Sequence, residues 1–367
     1  MIVFLNFAPI EFMGGAEKWM YETANLISRK EKTVLISVSP EISNIYSTII
    51  LGRTFDKRIK LTMQNLIYLT VRHFIPFTES FSQVRELLKE ARLIYIKYEI
   101  LEVLIVLYFG GLGALSKVVA GIHSPFLYQA PITVMERMHN IIYLSFFSRW
   151  VLGKVKRIHT ITRRDRDIME NDFGRTRVYN IPTSVNIKTP RIKKNLKNEL
   201  KILFVGELSK RKGIDILRKL IIDAPKNYFL DIVGNGPYKK EIARFADSYH
   251  HVKYHGYLDA LALSTLYTQA DVLLLPSRAE GFPLVFHEAM AHGTQIVDSD
   301  LVNVGLPRFI ERSVQNEPEA YIKILNKIYA EKKEKTHANI SEKIQDYYRT
   351  HFSYSDISSK VQNKLFA

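Results

Sequence analysis

Two hydrophobic periods alternate along this 367-residue chain. Short continuous apolar runs bounded by glycine or polar residues mark buried strands. Apolar positions three and four apart mark helices. Residues 1–7 (MIVFLNF) read as a buried strand, and GGAEKWMYETANLISRK after them as a glycine turn and a helix with Met20, Ala24 and Ile27 on one face. TVLISVS (33–39), LIYIKYE (93–99) and KVVAGIHS (117–124) are further strands, spaced by helical patterns. RIHTITRRDRDIMENDFG (157–174) reads as strand, turn and short helix stopped by Gly174. Strand alternating with helix predicts a mostly parallel sheet.

A second alternating series starts at residue 201. KILFVGEL (201–208) is a strand, KGIDILRKLIIDA (212–224) a helix, YFLDIVGNG (228–236) a strand into a glycine turn, and PYKKEIARFADSY (237–249) a helix. VKYHGYL (252–258), DVLLLPS (271–277) and TQIVDSD (294–300) are strands, while ALALSTLYTQA (260–270) and PLVFHEAMAHG (283–293) are helices. The tail from Glu317 is helical and charged. Between the two series, 180–200 has two prolines, no clear period and five basic side chains after Ile187. The pattern predicts an α/β protein of two doubly wound domains. The first covers 1–185, a basic linker 186–200 and the second 201–340, with a final helical segment, 341–367, packing back on the first.

Composition narrows this little: 47% hydrophobic and 24% charged residues are ordinary for a globular protein. The absence of cysteine excludes disulfides, thiol catalysis and thiolate metal sites, and it fits a reducing compartment. The amino terminus lacks the basic start of a signal peptide, and Glu11 interrupts its apolar run. LEVLIVLYFGGLGAL (101–115) falls short of the ~20 residues of a spanning helix and carries Glu102, so it reads as a buried segment.

Charge changes the picture more. The net charge is +15, and residues 1–200 hold 29 Lys and Arg against 17 Asp and Glu, whereas 201–367 hold 23 against 20. A basic first half suits a polyanion such as nucleic acid, anionic lipid or a phosphorylated substrate, or it reflects a lysine-rich background. KRIKLTMQNLIYLTVRHFIPF (57–77) places Ile59, Met63, Leu66 and Ile67 on one stripe behind a basic start. That stripe suits an anionic membrane face or, equally, a packed helix with a solvated end. No recognition helix, RNA-binding signature or aromatic–basic strand pattern supports nucleic acid.

The sharpest chemical signal is AEGFPLVFHEAM (279–290), where Glu280 and Glu288 stand in an almost wholly apolar run. Carboxylates enter such surroundings when something pairs with them. Pro283 suits the first turn of the helix that follows DVLLLPS, which leaves Glu280 on the loop and Glu288 roughly 7–8 Å along the helix. The N–H groups of Gly281, Phe282 and the helix start would lie between them, an anion site at the carboxyl edge of a parallel sheet. Two carboxylates flanking an anion suit the hydroxyls of a sugar and of a ribose joined by a diphosphate; local capping or ion pairing is the other reading.

The stretch PSRAEGFPLVFHEAMAHGTQIV resembles the E-x7-E signature of the retaining, nucleotide-sugar-dependent glycosyltransferases of family 4, which have the GT-B fold of two Rossmann-like domains facing across a cleft. GGAE (14–17), GIHSP (121–125), FVGELSKRKGID (204–215), DIVGNGP (231–237) and VKYHGYL (252–258) match further blocks of that family in order, over nearly the whole chain.

The resemblance implies that Glu288 bonds the nucleotide's ribose and that Glu280 sits at the transferred sugar. It implies that Lys212 neutralises the departing diphosphate, and that Gly206, Gly234, Gly281, Phe282 and Pro283 shape the donor pocket. His123 would face the donor sugar, and Gly14 and Gly15 would let the backbone approach donor or acceptor. Catalysis would then rest on Glu280, His123 and Lys212 and need no metal or cofactor. Asp298 and Asp300, a D-x-D spacing, read as a strand-end loop.

Two departures stand out. Glu207 replaces a common arginine, leaving the diphosphate to Lys210, Arg211 or Lys212, and VNVGLPRFI has Gly305 and Arg308 where the family shows Gly-Gly and an acid. The implied function is transfer of a sugar from a UDP- or GDP-type donor to a glycan or lipid-linked acceptor in cell-envelope polysaccharide or glycoconjugate synthesis. It would take place in the cytoplasm or on the inner membrane face. A weak homologue acting as a scaffold, or a nucleotide-sugar epimerase of the same fold, are the alternatives.

Overall fold

The computed structural model describes residues 1–6, 15–37, 47–50, 78–123, 125–184, 187, 189–190, 198–302, 304–334 and 336–367. The chain forms two compact units: residues 1–126, 141–183 and 357–367 in the first, and 127–140 and 184–356 in the second. Gly14, the 57–77 stripe and most of the basic linker lie outside the described residues.

In the first unit, β1 (Ile2–Asn6), β2 (Thr33–Ser37), β3 (Ser47–Ile50), β4 (Leu93–Lys97), β5 (Val118–Ile122), β6 (Arg157–Thr160) and β7 (Val178–Asn180) form one sheet in the order β3-β2-β1-β4-β5-β6-β7. Every pairing is parallel. Parallel strands are covered on both faces, which is why β1, β4 and β5 read as unbroken apolar runs and are buried at every position. Helix α1 (Gly15–Ser28) buries Trp19, Met20, Ala24 and Ile27 on Phe4, Leu35 and Tyr95. Phe366, near the chain end, packs on Phe4 and Tyr95 with ring centroids 5.4 and 5.8 Å apart.

The second unit repeats the topology. β8 (Leu200–Val205), β9 (Tyr228–Val233), β10 (Val252–Gly256), β11 (Val272–Leu275), β12 (Gln295–Ser299) and β13 (Glu311–Val314) lie in the order β10-β9-β8-β11-β12-β13, again all parallel. A buried ion pair anchors this sheet from below. Lys332 reaches Asp271, just before β11, at 2.6 Å, and the same carboxylate accepts from the Lys201 N–H at 2.8 Å. The strand order reverses between β1 and β4 in one unit and between β8 and β11 in the other. In open α/β sheets ligands bind outside the carboxyl ends at such a point.

Three expectations shift. Pro283 caps its helix, Leu284–Ala291, instead of opening its first turn, because its ψ of 129° is extended. The 101–115 run is not wholly buried. It winds as helical turns with Val103, Ile105, Val106 and Phe109 inward and Leu104, Tyr108 and Leu112 exposed. The tail forms three helices, Pro318–Lys333, Thr336–His351 and Tyr354–Leu365, and the second of them belongs to the second unit. Among the described residues no helix is long and apolar enough to cross a membrane.

Candidate active site

The loops after β8 and β11 are stitched together where the second sheet's order reverses. After β8 the chain passes Gly206, makes one 3-10 turn over Lys210–Lys212 and turns through Gly213 with φ 75°. A Cβ on Gly213 would stand 1.9 Å from the Pro276 carbonyl oxygen, so only glycine lets the two loops meet here. The Arg278 N–H donates to the Arg211 carbonyl at 2.8 Å, and the Arg278 guanidinium grips Asp215 through both carboxylate oxygens at 2.8 and 2.7 Å.

This seam carries Lys212 to Glu280. Their Nζ and Oε1 atoms are 2.5 Å apart, with side chains only 15% and 9% exposed. Glu280 thus has a partner among its apolar neighbours, and it takes one of the lysine's three N–H donors. Glu288, on helix Leu284–Ala291, accepts from the Tyr267 hydroxyl at 2.8 Å. Burial, then the Glu288 charge, holds the Tyr267 phenol well above its usual pKa, so it stays protonated and donating.

Other predicted residues have structural duties. Gly234, at φ 138°, presses on the Gly206 carbonyl, where a Cβ would come within 1.8 Å. Phe282 is 8% exposed and stacks on His287 at 4.7 Å, so its ring belongs to the core of the unit. Glu207, the departure from the family pattern, is half-exposed and lies 3.8 Å from Arg211. Arg308 lines a surface cavity at the β13 edge with Phe309, Arg312 and Lys327, two strands from β11. The loop before it is pinned by Glu311, which accepts from the Val304 and Leu306 N–H groups at 2.9 and 2.6 Å. Asp298 lies within β12, not in the loop that follows it. It is fully buried, and burial, then Glu311, pushes its carboxyl pKa well up. Among the described residues no group of three or more His, Asp or Glu is placed to hold a metal.

In the first unit, Gly15 opens α1, and His123 follows β5 with 9% exposure. Sequence reading missed its two neighbours. The Tyr95 hydroxyl lies 2.7 Å from His123 Nε2 and 2.7 Å from His159 Nδ1, with Trp19 packed at a tilt against both imidazoles, ring centroids 4.7 and 5.2 Å away. The signal available was Gly121, which pairs with His159 across β5 and β6. A Cβ there would meet the Tyr95 oxygen at 2.2 Å, so the missing side chain is the space the phenol fills.

Residues 186–346 match the family described as Glycosyl transferases group 1. The chain is 28% identical over 168 residues to the O-antigen biosynthesis glycosyltransferase WclY of Escherichia coli, covering 43% of this chain and 44% of that protein. It spans about a third of the length of the two curated relatives it matches at 34% and 36% identity. Among solved structures it is similar over its full length to a sucrose-phosphate synthase of Thermosynechococcus elongatus, with 98% of that chain covered, a TM-score of 0.75 and 17% identity. It is also similar over its full length to Anabaena HepE in complex with UDP and glucose, with 99% covered, a TM-score of 0.71 and 14% identity. The fold is therefore that of the two-domain, Rossmann-like GT-B glycosyltransferases, and the segment carrying Lys212, Glu280 and Glu288 is the one that matches the group 1 glycosyl transferases.

Proposed function

We propose that this protein is a retaining glycosyltransferase of the E-x7-E type. It moves a sugar from a nucleoside-diphosphate donor to a glycan or lipid-linked acceptor of a cell-envelope polysaccharide. The observation that carries the reading is the Lys212–Glu280 pair at the β8–β11 reversal, one helix from Glu288. Support for the donor comes from HepE, solved with UDP and glucose, and for the acceptor class from WclY, an O-antigen biosynthesis enzyme.

In this reading the donor diphosphate takes the remaining N–H donors of Lys212, Glu280 bonds hydroxyls of the transferred sugar, and Glu288 bonds the ribose. The bond between the anomeric carbon and the phosphate oxygen breaks as the acceptor oxygen attacks on the same face. The acceptor's proton passes to the departing phosphate, so no carboxylate base is required. Lys212 offsets the negative charge that develops on the leaving group. The donor is held by protein groups alone, without a metal. The reaction is cytoplasmic, on a peripheral membrane face where the acceptor is lipid-linked.

The test is incubation with UDP- and GDP-sugars and a lipid-linked or glycan acceptor, following nucleoside diphosphate release and the anomeric configuration by NMR, with and without EDTA. Acceptor-dependent release with retained configuration, insensitive to EDTA, is expected. An isomerised sugar formed without acceptor would replace this reading with epimerisation.

A further inference from the structure

The hydrogen bonds around His123 have a direction that the geometry determines. His159 Nε2 lies 2.7 Å from the Ile181 carbonyl oxygen, which can only accept, so Nε2 carries a proton. Burial holds His159 down to about 4, so at neutral pH its Nδ1 is a lone pair. That lone pair can only accept from the Tyr95 hydroxyl, 2.7 Å away. Tyr95 has one proton, and it is now committed. Its contact with His123 Nε2, also 2.7 Å, must therefore run the other way, with His123 Nε2–H donating. Burial, then His159 and Lys97, depresses the His123 pKa as well, so this imidazole is neutral. Among the described residues its Nδ1, a buried lone pair, has no hydrogen-bond partner.

We infer that Tyr95 and His159 are positioning residues that lock His123 as its Nε2–H tautomer. His123 Nδ1 is thereby held at the carboxyl edge of the first sheet as an acceptor for a sugar hydroxyl. The chain Ile181–His159–Tyr95–His123 crosses β6, β5 and β4, and Gly121 is the gap through which the phenol reaches both rings. A buried acceptor without a partner is costly, which makes it a specific receptor for a donor group. A neutral lone pair accepts a hydrogen-bond donor and repels a carboxylate or phosphate, so it suits a sugar hydroxyl, and a sugar with a carboxylate in that place is rejected. The identity of the ligand rests on the proposed glycosyl transfer; the tautomer does not.

The test is a long-range ¹H–¹⁵N spectrum of the full chain labelled with ¹⁵N-histidine, where a His123→Gln sample identifies the His123 signals. The expected result is a protonated Nε2 and a bare Nδ1 at His123. In Tyr95→Phe, which keeps the ring contacts and removes the relay, the signals move toward a mixture of tautomers. UDP binding, which the proposed reading assigns to the second unit, checks that this variant stays folded and should remain within about twofold of wild type. A wild-type His123 protonated on Nδ1, or a His123 pattern unchanged in Tyr95→Phe, would overturn the inference. The wild-type spectrum decides the tautomer even where the variant fails to fold. Titration with free hexoses, whose hydroxyls the first unit alone can meet, should then shift the Nδ1 signal, and no shift refutes the hydroxyl contact.

Discussion

The two units share a topology and differ in what stands at the carboxyl edges of their sheets. In the second, loops fastened by Gly213 and Arg278 hold a charged pair, Lys212 and Glu280, and the helix that follows carries Glu288, bonded by Tyr267. In the first, three aromatic rings and two neutral imidazoles surround a single hydroxyl relay. The comparison teaches that one scaffold can carry two opposite electrostatic environments. Paired charge with spare N–H donors suits a diphosphate whose charge grows as it departs. A neutral, tautomer-locked acceptor suits an uncharged hydroxyl, which it sorts by hydrogen-bond direction. In the proposed reading, paired charge serves the first environment and a buried aromatic wall the second.

The largest effect should come from breaking the charged side of this contrast. In the proposed reading Lys212→Ala removes the cation that meets the diphosphate and strands Glu280, and sugar transfer should fall about 10²–10³-fold in initial-rate assays. Lys212→Arg should recover part of it, since a cation returns with a different reach. Gly213→Ala comes next, as a stability effect. Its φ of 75° and the Pro276 carbonyl leave no room for a Cβ, so denaturant unfolding should show a loss of about 2–4 kcal/mol. A loss confined to binding, with stability intact, would mean that the seam moves.

The smallest effect sharpens the neutral side. His159 is held down to about 4, and His287, buried beneath Phe282, down to about 3, both by burial. The unfolded chain binds these protons near the ordinary histidine value while the folded chain does not. Stability is therefore fully present above about pH 6.5 and is lost as pH falls toward the folded values. For His287 alone that amounts to about 2 kcal/mol by pH 5. His287→Leu should flatten the pH dependence of the thermal midpoint between pH 7 and 5; an unchanged slope would contradict its burial as a neutral base.

Much of this architecture is legible in the chain, for a physical reason. Parallel strands buried on both faces have no polar side to obscure them, so β1, β4, β8 and β11 stand out as short apolar runs. β13, with the sequence ERSV, does not, because Glu311 and Arg312 serve a loop and an ion pair with Glu331. Glu280 and Glu288 are legible because charge in an apolar run demands a partner, whereas Lys212, in the polar stretch SKRK, is reached only through the family resemblance. Tyr95 and His159 are not, because each is an ordinary strand residue until β4, β5 and β6 come into register around Gly121. Spacing along one segment exposes local motifs; a relay across three strands belongs to tertiary structure.

The central claim is a nucleoside-diphosphate site built on Lys212 and Glu288, and calorimetric titration with UDP, GDP, ADP and CMP tests it most directly. Wild-type protein should bind one diphosphate, and both Lys212→Ala and Glu288→Ala should lose that binding while remaining folded. A folded wild-type protein that binds none of the four, or variants that bind as tightly as wild type, would contradict the account.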